Sequence, residues 1–286
     1  MKQDPRRFAA RPDLAAMHLK GEVEAERFAE ATQMVVSVPA APLTSRPDGD
    51  APLESQILYG EPYAAYEMAG GWAWGQSERD GYVGYVPHAC LLPAGPVPTH
   101  RVTQPTTLVY ATPAVKTRPI GWLSYGALVG VDGVDNNFAV LTAGGFVPAP
   151  HLSPCDAFAP DWVAEAERFL GAPYLWGGRT QAGLDCSALV QLALQAAGRD
   201  CPRDSDMQAA DLGRTLAPGT AHERGDLVFW TGHVGIMLDR TRMLQSSGNY
   251  MTVVVETLDT AIERILAAGE GPVIRHARLD ATAAES

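Results

Sequence analysis

The sequence predicts an α+β protein: a β-rich first half, followed by a half of helical runs and apolar strands. Three observations predict it. Between Met34 and about Leu152, short runs of Val, Tyr, Trp and Thr alternate with Pro, Gly and Asp, the texture of short strands and tight turns. Within that stretch a pattern returns, which implies two copies of one small barrel. After Pro160 the texture changes to helix-forming runs and then to apolar segments of strand length.

The elements follow in order. Residues 1–33 are rich in Ala, Leu, Glu and Arg, with Asp13 placed as an N-cap after Pro12; short helices broken at Gly21 are expected there. The repeat begins with Tyr59-Gly60, Trp72-Ala73-Trp74 and Gly84-Tyr85-Val86-Pro87. It returns as Tyr125-Gly126, Phe138-Ala139-Val140 and Gly145-Phe146-Val147-Pro148. The spacing between copies shortens only before the last element, which places the deletion in a loop. Barrels over 34–95 and 96–152 are expected, with an undivided β-sandwich as the alternative. The Pro-rich stretch from Pro148 to Pro154 closes the β half, and a further domain spans 153–286. In it, Asp161 to Leu170 reads as a helix stopped by Gly171, and the run after Asp185 as a helix that ends at Gly198.

Charge and composition exclude several classes. The chain has 286 residues, with 33 acidic against 22 basic side chains and a formal charge of −11. Such a balance offers no footprint for nucleic-acid phosphates or anionic membranes. No apolar run is long enough to span a bilayer, and the opening residues lack the pattern of a secretory signal, so a cytoplasmic setting is expected. The four cysteines (Cys90, Cys155, Cys186, Cys201) show no CxxC spacing and are expected to be reduced. There is no HExxH motif either, so no metal and no cofactor are expected.

One cysteine is placed for chemistry. Cys186 opens the helix capped by Asp185, where the positive end of the helix dipole favours a thiolate and is expected to lower the thiol pKa. A cysteine nucleophile needs a base, usually a histidine held by a third polar group. Six of the seven histidines lie in the N-terminal segment, the β half, the linker, a polar loop or the tail. His233 instead opens the apolar run His233-Val234-Gly235-Ile236-Met237-Leu238. Twelve residues later Gln245, in the next strand of a hairpin, is positioned to accept from the imidazole Nδ1–H.

Together these residues resemble a known family. Tyr174-x-Trp176-Gly177-Gly178, Asp185-Cys186-Ser187-Ala188-Leu189-Val190, Arg203-Asp204-Ser205, Gly225-Asp226-Leu227-Val228-Phe229 and His233-Val234-Gly235-Ile236 occur in the order seen in NlpC/P60 cysteine peptidases. The β repeat resembles bacterial SH3-like (SH3b) domains. The whole arrangement is similar to the γ-D-glutamyl-L-diamino acid endopeptidases of the dipeptidyl-peptidase VI type.

The resemblance implies a papain-like catalytic domain, a helix packed on an antiparallel sheet, behind two SH3b barrels, with Cys186 as nucleophile, His233 as base and Gln245 as third residue. Gln245 departs from the His most common there, and Ala188 from the usual Gly. Tyr174 and Trp176 would wall the cleft, with Asp185, Ser187, Asp204 and Ser205 contacting substrate. Tyr82, with either Glu54 or Glu61, would recognise the free amine of an N-terminal L-Ala. The implied substrates are wall-derived muropeptides, L-Ala-γ-D-Glu-diamino acid, cleaved through a thioester during peptidoglycan recycling. Two alternatives stand beside this reading: a catalytically inert wall-peptide binder, and a papain-like amidase or acyltransferase.

Overall fold

A computed structural model describes residues 4–280. Two units partition the chain, one of residues 1–157 with 179–181, the other of 158–178 with 182–286.

In the first unit, a seven-stranded antiparallel sheet is built from segments between Thr32 and Pro93. Its end strands, Leu53–Leu58 and Leu91–Pro93, each pair with one neighbour, so the sheet is open and not the closed barrel that the sequence implies. Leu91–Pro93 is three residues long and ends in a proline, which has no N–H to extend a ladder. A five-stranded and a three-stranded sheet follow between His100 and Pro154.

The sequence repeat is a repeat of structure. Trp72, Ala73 and Trp74 pair with Pro87, Val86 and Tyr85; Phe138, Ala139 and Val140 pair with Pro148, Val147 and Phe146 in the same register. Each copy then makes one 3₁₀ turn, His88–Cys90 or Ala149–His151, before a three-residue strand. The Tyr-Gly steps also match: Gly60 N–H donates to Val36 O and Gly126 N–H to Val102 O, both at 2.9 Å and both with positive φ. At Gly60 the backbone leaves no room for a side chain, since a Cβ would lie 2.0 Å from Leu128 O.

Residues 1–33 correct the sequence reading. The helices expected there are absent among the described residues; Leu14–Ala16 pairs in parallel with Arg27–Ala29, and Met17–Leu19 forms one 3₁₀ turn. Leu14, Ala15 and Ala16 are all buried, a demand that a one-sided helix cannot meet. Leu14, Ala16 and Leu19 pack around Trp74, so tertiary burial overrides helix propensity.

Among the described residues, the second unit holds four α-helices. α1 (Trp162–Glu167) is capped by Asp161, whose carboxylate accepts from Val163 and Ala164 N–H. α2 (Cys186–Ala196) is capped by Asp185 and ends before Gly198, whose φ is +73°. Every residue of α2 is buried, which makes it the central helix of this unit. α3 (Ser205–Asp211) and α4 (Leu258–Ala267) follow. The antiparallel sheet has six strands in the order Arg214–Thr215, Arg275–Arg278, Leu227–Trp230, His233–Met237, Arg242–Ser247, Thr252–Thr257. Val228, Trp230, Met237 and Met243 pack with Leu258, Ala261 and Ile265 of α4. Among the described residues, no helix is long and apolar enough to cross a membrane.

Candidate active site

The Asp185 carboxylate organises the start of α2. One oxygen accepts from Ala188 N–H at 2.8 Å and from the Ser187 hydroxyl at 3.1 Å, and the other from Gly177 N–H at 2.9 Å. Arg203 grips both oxygens at 3.0 and 2.7 Å and donates to Ser187 Oγ at 2.9 Å. All three side chains are buried. Asp185 and Ser187, expected to meet substrate, are instead committed to one another and to Arg203. The sequence reading quoted Arg203 within a motif but gave it no role, because an arginine flanked by Pro202 and Asp204 carries no local sign of burial. Gln208 was missed likewise; it donates to Ser187 O and Pro202 O, both at 2.9 Å, tying α3 to α2.

Cys186, in the first turn of α2, is buried. Its thiol is pushed up to about 12, first by burial and then by the Asp185 charge. The N–H groups of Val234 and Ser187 and the Arg203 charge act in the opposite direction. The expected lowering by the helix start is thus reversed, because removing the anion from water outweighs the dipole. The Val234 N–H at the sulphur sets the thiol beside the beginning of the His233–Met237 strand.

His233 stands at that strand's first position, paired with Trp230, whose ring lies 5.7 Å away. Burial pushes the imidazole below its ordinary value, and the hydrogen bond to Gln245 partly offsets this. That bond joins Nε2 to Gln245 Oε1 at 2.5 Å, where the sequence reading placed it on Nδ1. An amide oxygen only accepts, so Nε2 carries the proton and Nδ1 keeps its lone pair. Gln245 is fully buried, and its amide nitrogen donates to Glu256. A thiol, an imidazole with one basic nitrogen and an amide that fixes the tautomer are the parts of a nucleophile–base–orienter set.

The remaining candidates divide by surroundings. Trp176 is 63% exposed, so it is no core residue and is available to wall a cleft. Tyr174 is half-buried, and burial together with Cys186 and Asp185 raises its phenol. Asp204 takes the N-cap position of α3 without a side-chain capping bond, and Ser205 is buried. In the first unit, Tyr82 is buried and Glu54 half-buried. Glu61 is corrected: it is buried, both its oxygens are held by Arg179 at 2.8 and 3.1 Å, and one also accepts from Leu58 N–H. With three donors already on it and almost no exposure, this carboxylate is committed to holding Arg179 and Leu58.

All four cysteines are free thiols. Among the described residues, no group of three or more His, Cys, Asp or Glu side chains is placed to hold a metal ion.

Two family models match parts of the chain. Residues 171–265 match the NlpC/P60 family and residues 43–91 match the bacterial dipeptidyl-peptidase SH3 domain, so the chain carries both domains. Among curated proteins, the γ-D-glutamyl-L-lysine dipeptidyl-peptidase of Bacillus subtilis is 27% identical over 240 residues, covering 76% of this chain and 80% of that protein. The protein of the same name from Bacillus cereus is 26% identical, covering 73% of this chain and 71% of that protein. A crystal structure of an NlpC/P60 family protein from Bacillus cereus shares the fold, with a TM-score of 0.73 over 87% of this chain and 99% of that chain at 21% identity. The family match and these two relatives support a peptidase.

Proposed function

We propose that the protein is a cysteine peptidase that hydrolyses the bond between γ-D-Glu and an L-diamino acid in wall-derived peptides with a free N-terminal L-Ala. The observation that carries this reading is the Cys186 sulphur at the Val234 N–H, beside His233 with its Nε2 engaged by Gln245. The chemistry follows from the protonation states. The thiol is held protonated and the imidazole neutral, so Cys186 gives its proton to His233 Nδ1 as sulphur attacks the γ-carbonyl carbon. The carbonyl electron pair moves onto oxygen, where N–H groups at the start of α2 stabilise it, the Cys186 amide among them. Collapse expels the diamino acid's amine, which takes the proton from His233 and leaves a thioester. Water, losing a proton to His233, then releases L-Ala-D-Glu and restores the thiol.

The relatives named dipeptidyl-peptidases support cleavage two residues from a free amine. Tyr82 and Glu54 are the amine-recognising pair in this reading, Trp176 and Tyr174 the walls, and Asp204 and Ser205 contacts at the peptide-binding end. In this reading the second β copy, 96–152, is a second SH3b domain, which its matched register supports. Peptides released in peptidoglycan recycling are then the physiological substrates. The test is chromatography of L-Ala-γ-D-Glu-L-Lys and its meso-diaminopimelate counterpart after incubation, each beside an N-acetylated copy. Release of L-Ala-D-Glu from the free-amine peptides alone is expected. Equal cleavage of the acetylated copies overturns the amine requirement, and cleavage of none overturns the substrate class.

A further inference from the structure

Gln245 raises a problem that its own chemistry does not solve. A primary amide presents an acceptor at one end and donors at the other, with nearly the same shape. Turned the other way, its NH₂ would meet His233 Nε2, the ring proton would move to Nδ1, and no basic nitrogen would be left for the thiol. Something must fix the amide.

The neighbouring strand supplies it. Gln245 pairs with Val254 and Met243 pairs with Glu256, so Gln245 and Glu256 are diagonal neighbours on one face of the sheet. A carboxylate only accepts, and Glu256 Oε1 takes the hydrogen bond from the Gln245 NH₂. Glu256 is itself clamped. Arg264 of α4 donates to Oε1 at 2.6 Å, the Tyr250 hydroxyl donates to Oε2 at 3.3 Å, and the guanidinium lies 5.1 Å over the Tyr250 ring.

We propose that Glu256 is a positioning residue: held by Arg264 and Tyr250, it fixes the Gln245 amide so that Oε1 faces His233 and Nδ1 remains the proton acceptor. It also brings a negative charge near the imidazole that Gln245 cannot carry. The proposal rests on the reading of Cys186 and His233 as nucleophile and base. The charged groups acting on His233 are Arg264, which lowers its pKa, and Glu270 and Glu256, which raise it.

The opposite signs of Glu256 and Arg264 provide the test. Rates with L-Ala-γ-D-Glu-L-Lys are measured against pH for the full-length protein and its Glu256→Gln, Arg264→Met and Cys186→Ala variants. Loss of a partner that orients a metal-ligating histidine typically costs about 10- to 100-fold; taking the low end of that range for this histidine, Glu256→Gln is expected to lower kcat by about 10-fold with KM within about twofold. The acid limb of its pH profile moves to lower pH, and that of Arg264→Met to higher pH. General structural damage would not move the two limbs in opposite directions.

Wild-type kcat and an unshifted acid limb in Glu256→Gln overturn the positioning role, as do limbs that move in the same direction in both variants. Turnover by Cys186→Ala overturns the catalytic reading beneath it. A dead Cys186→Ala beside a wild-type-like Glu256→Gln overturns the positioning role alone.

Discussion

Replacing Arg203 with methionine probes how the nucleophile is held. The guanidinium is 1% exposed and donates to both oxygens of Asp185 and to Ser187 Oγ. Methionine fills much of the same volume but leaves Asp185 with only Ala188 N–H, Gly177 N–H and the Ser187 hydroxyl. Removing one partner of a buried ion pair typically costs about 3–5 kcal/mol, because the remaining charge has lost both water and its counter-ion. Asp185 caps α2, so the loss falls on the turn that carries Cys186.

Hydrogen exchange of the α2 amides, read by mass spectrometry, reports that loss locally. At about 1.4 kcal/mol per tenfold, exchange is expected to accelerate by roughly two to three and a half orders of magnitude. Arg203 also favours the Cys186 anion, so its removal raises the thiol further and slows alkylation. An acceleration of less than about tenfold, below roughly 1.4 kcal/mol, would refute the claim that Arg203 holds Asp185 and the helix start.

Three further outcomes follow from the same geometry. With a thiol pushed up to about 12 and an imidazole below its usual value, the resting pair is neutral, so iodoacetamide labelling of Cys186 should keep rising above pH 8; a plateau below pH 7 would instead mean a preformed ion pair. Glu61→Ala leaves buried Arg179 without its carboxylate and should cost about 3–5 kcal/mol of stability while preference for free-amine peptides persists. Glu54→Gln should raise KM for those peptides at unchanged stability, and the reverse assignment of the two effects would restore Glu61 as the amine contact.

Residues whose role depends on neighbours in sequence were legible before the structure. Asp161 and Asp185 cap the helices that follow them, Gly198 lies where α2 stops, and the β repeat keeps its register, whereas α1 ends at Glu167, short of the expected stop at Gly171. What escaped depends on contacts remote in sequence. Leu14 to Ala16 have helical propensity but form a strand, because all three side chains are buried. Arg203 and Glu61 appear as surface charges until each meets its partner, 18 residues away in one case and 118 in the other. The thiol was misjudged for a related reason. A helix start is visible in sequence, whereas burial of the sulphur arises only on packing. The Gln245 to Glu256 contact needs the register of a hairpin that no local pattern fixes.

The central claim is that Cys186 forms a thioester with the γ-carbonyl of D-Glu, and intact-protein mass spectrometry after rapid acid quench tests it most directly. Wild-type protein mixed with excess L-Ala-γ-D-Glu-L-Lys should carry an added mass of one L-Ala-D-Glu acyl group, located to the Cys186 peptide, lost on hydroxylamine treatment and absent from Cys186→Ala. Product formation by Cys186→Ala, or an adduct on another residue, would contradict it.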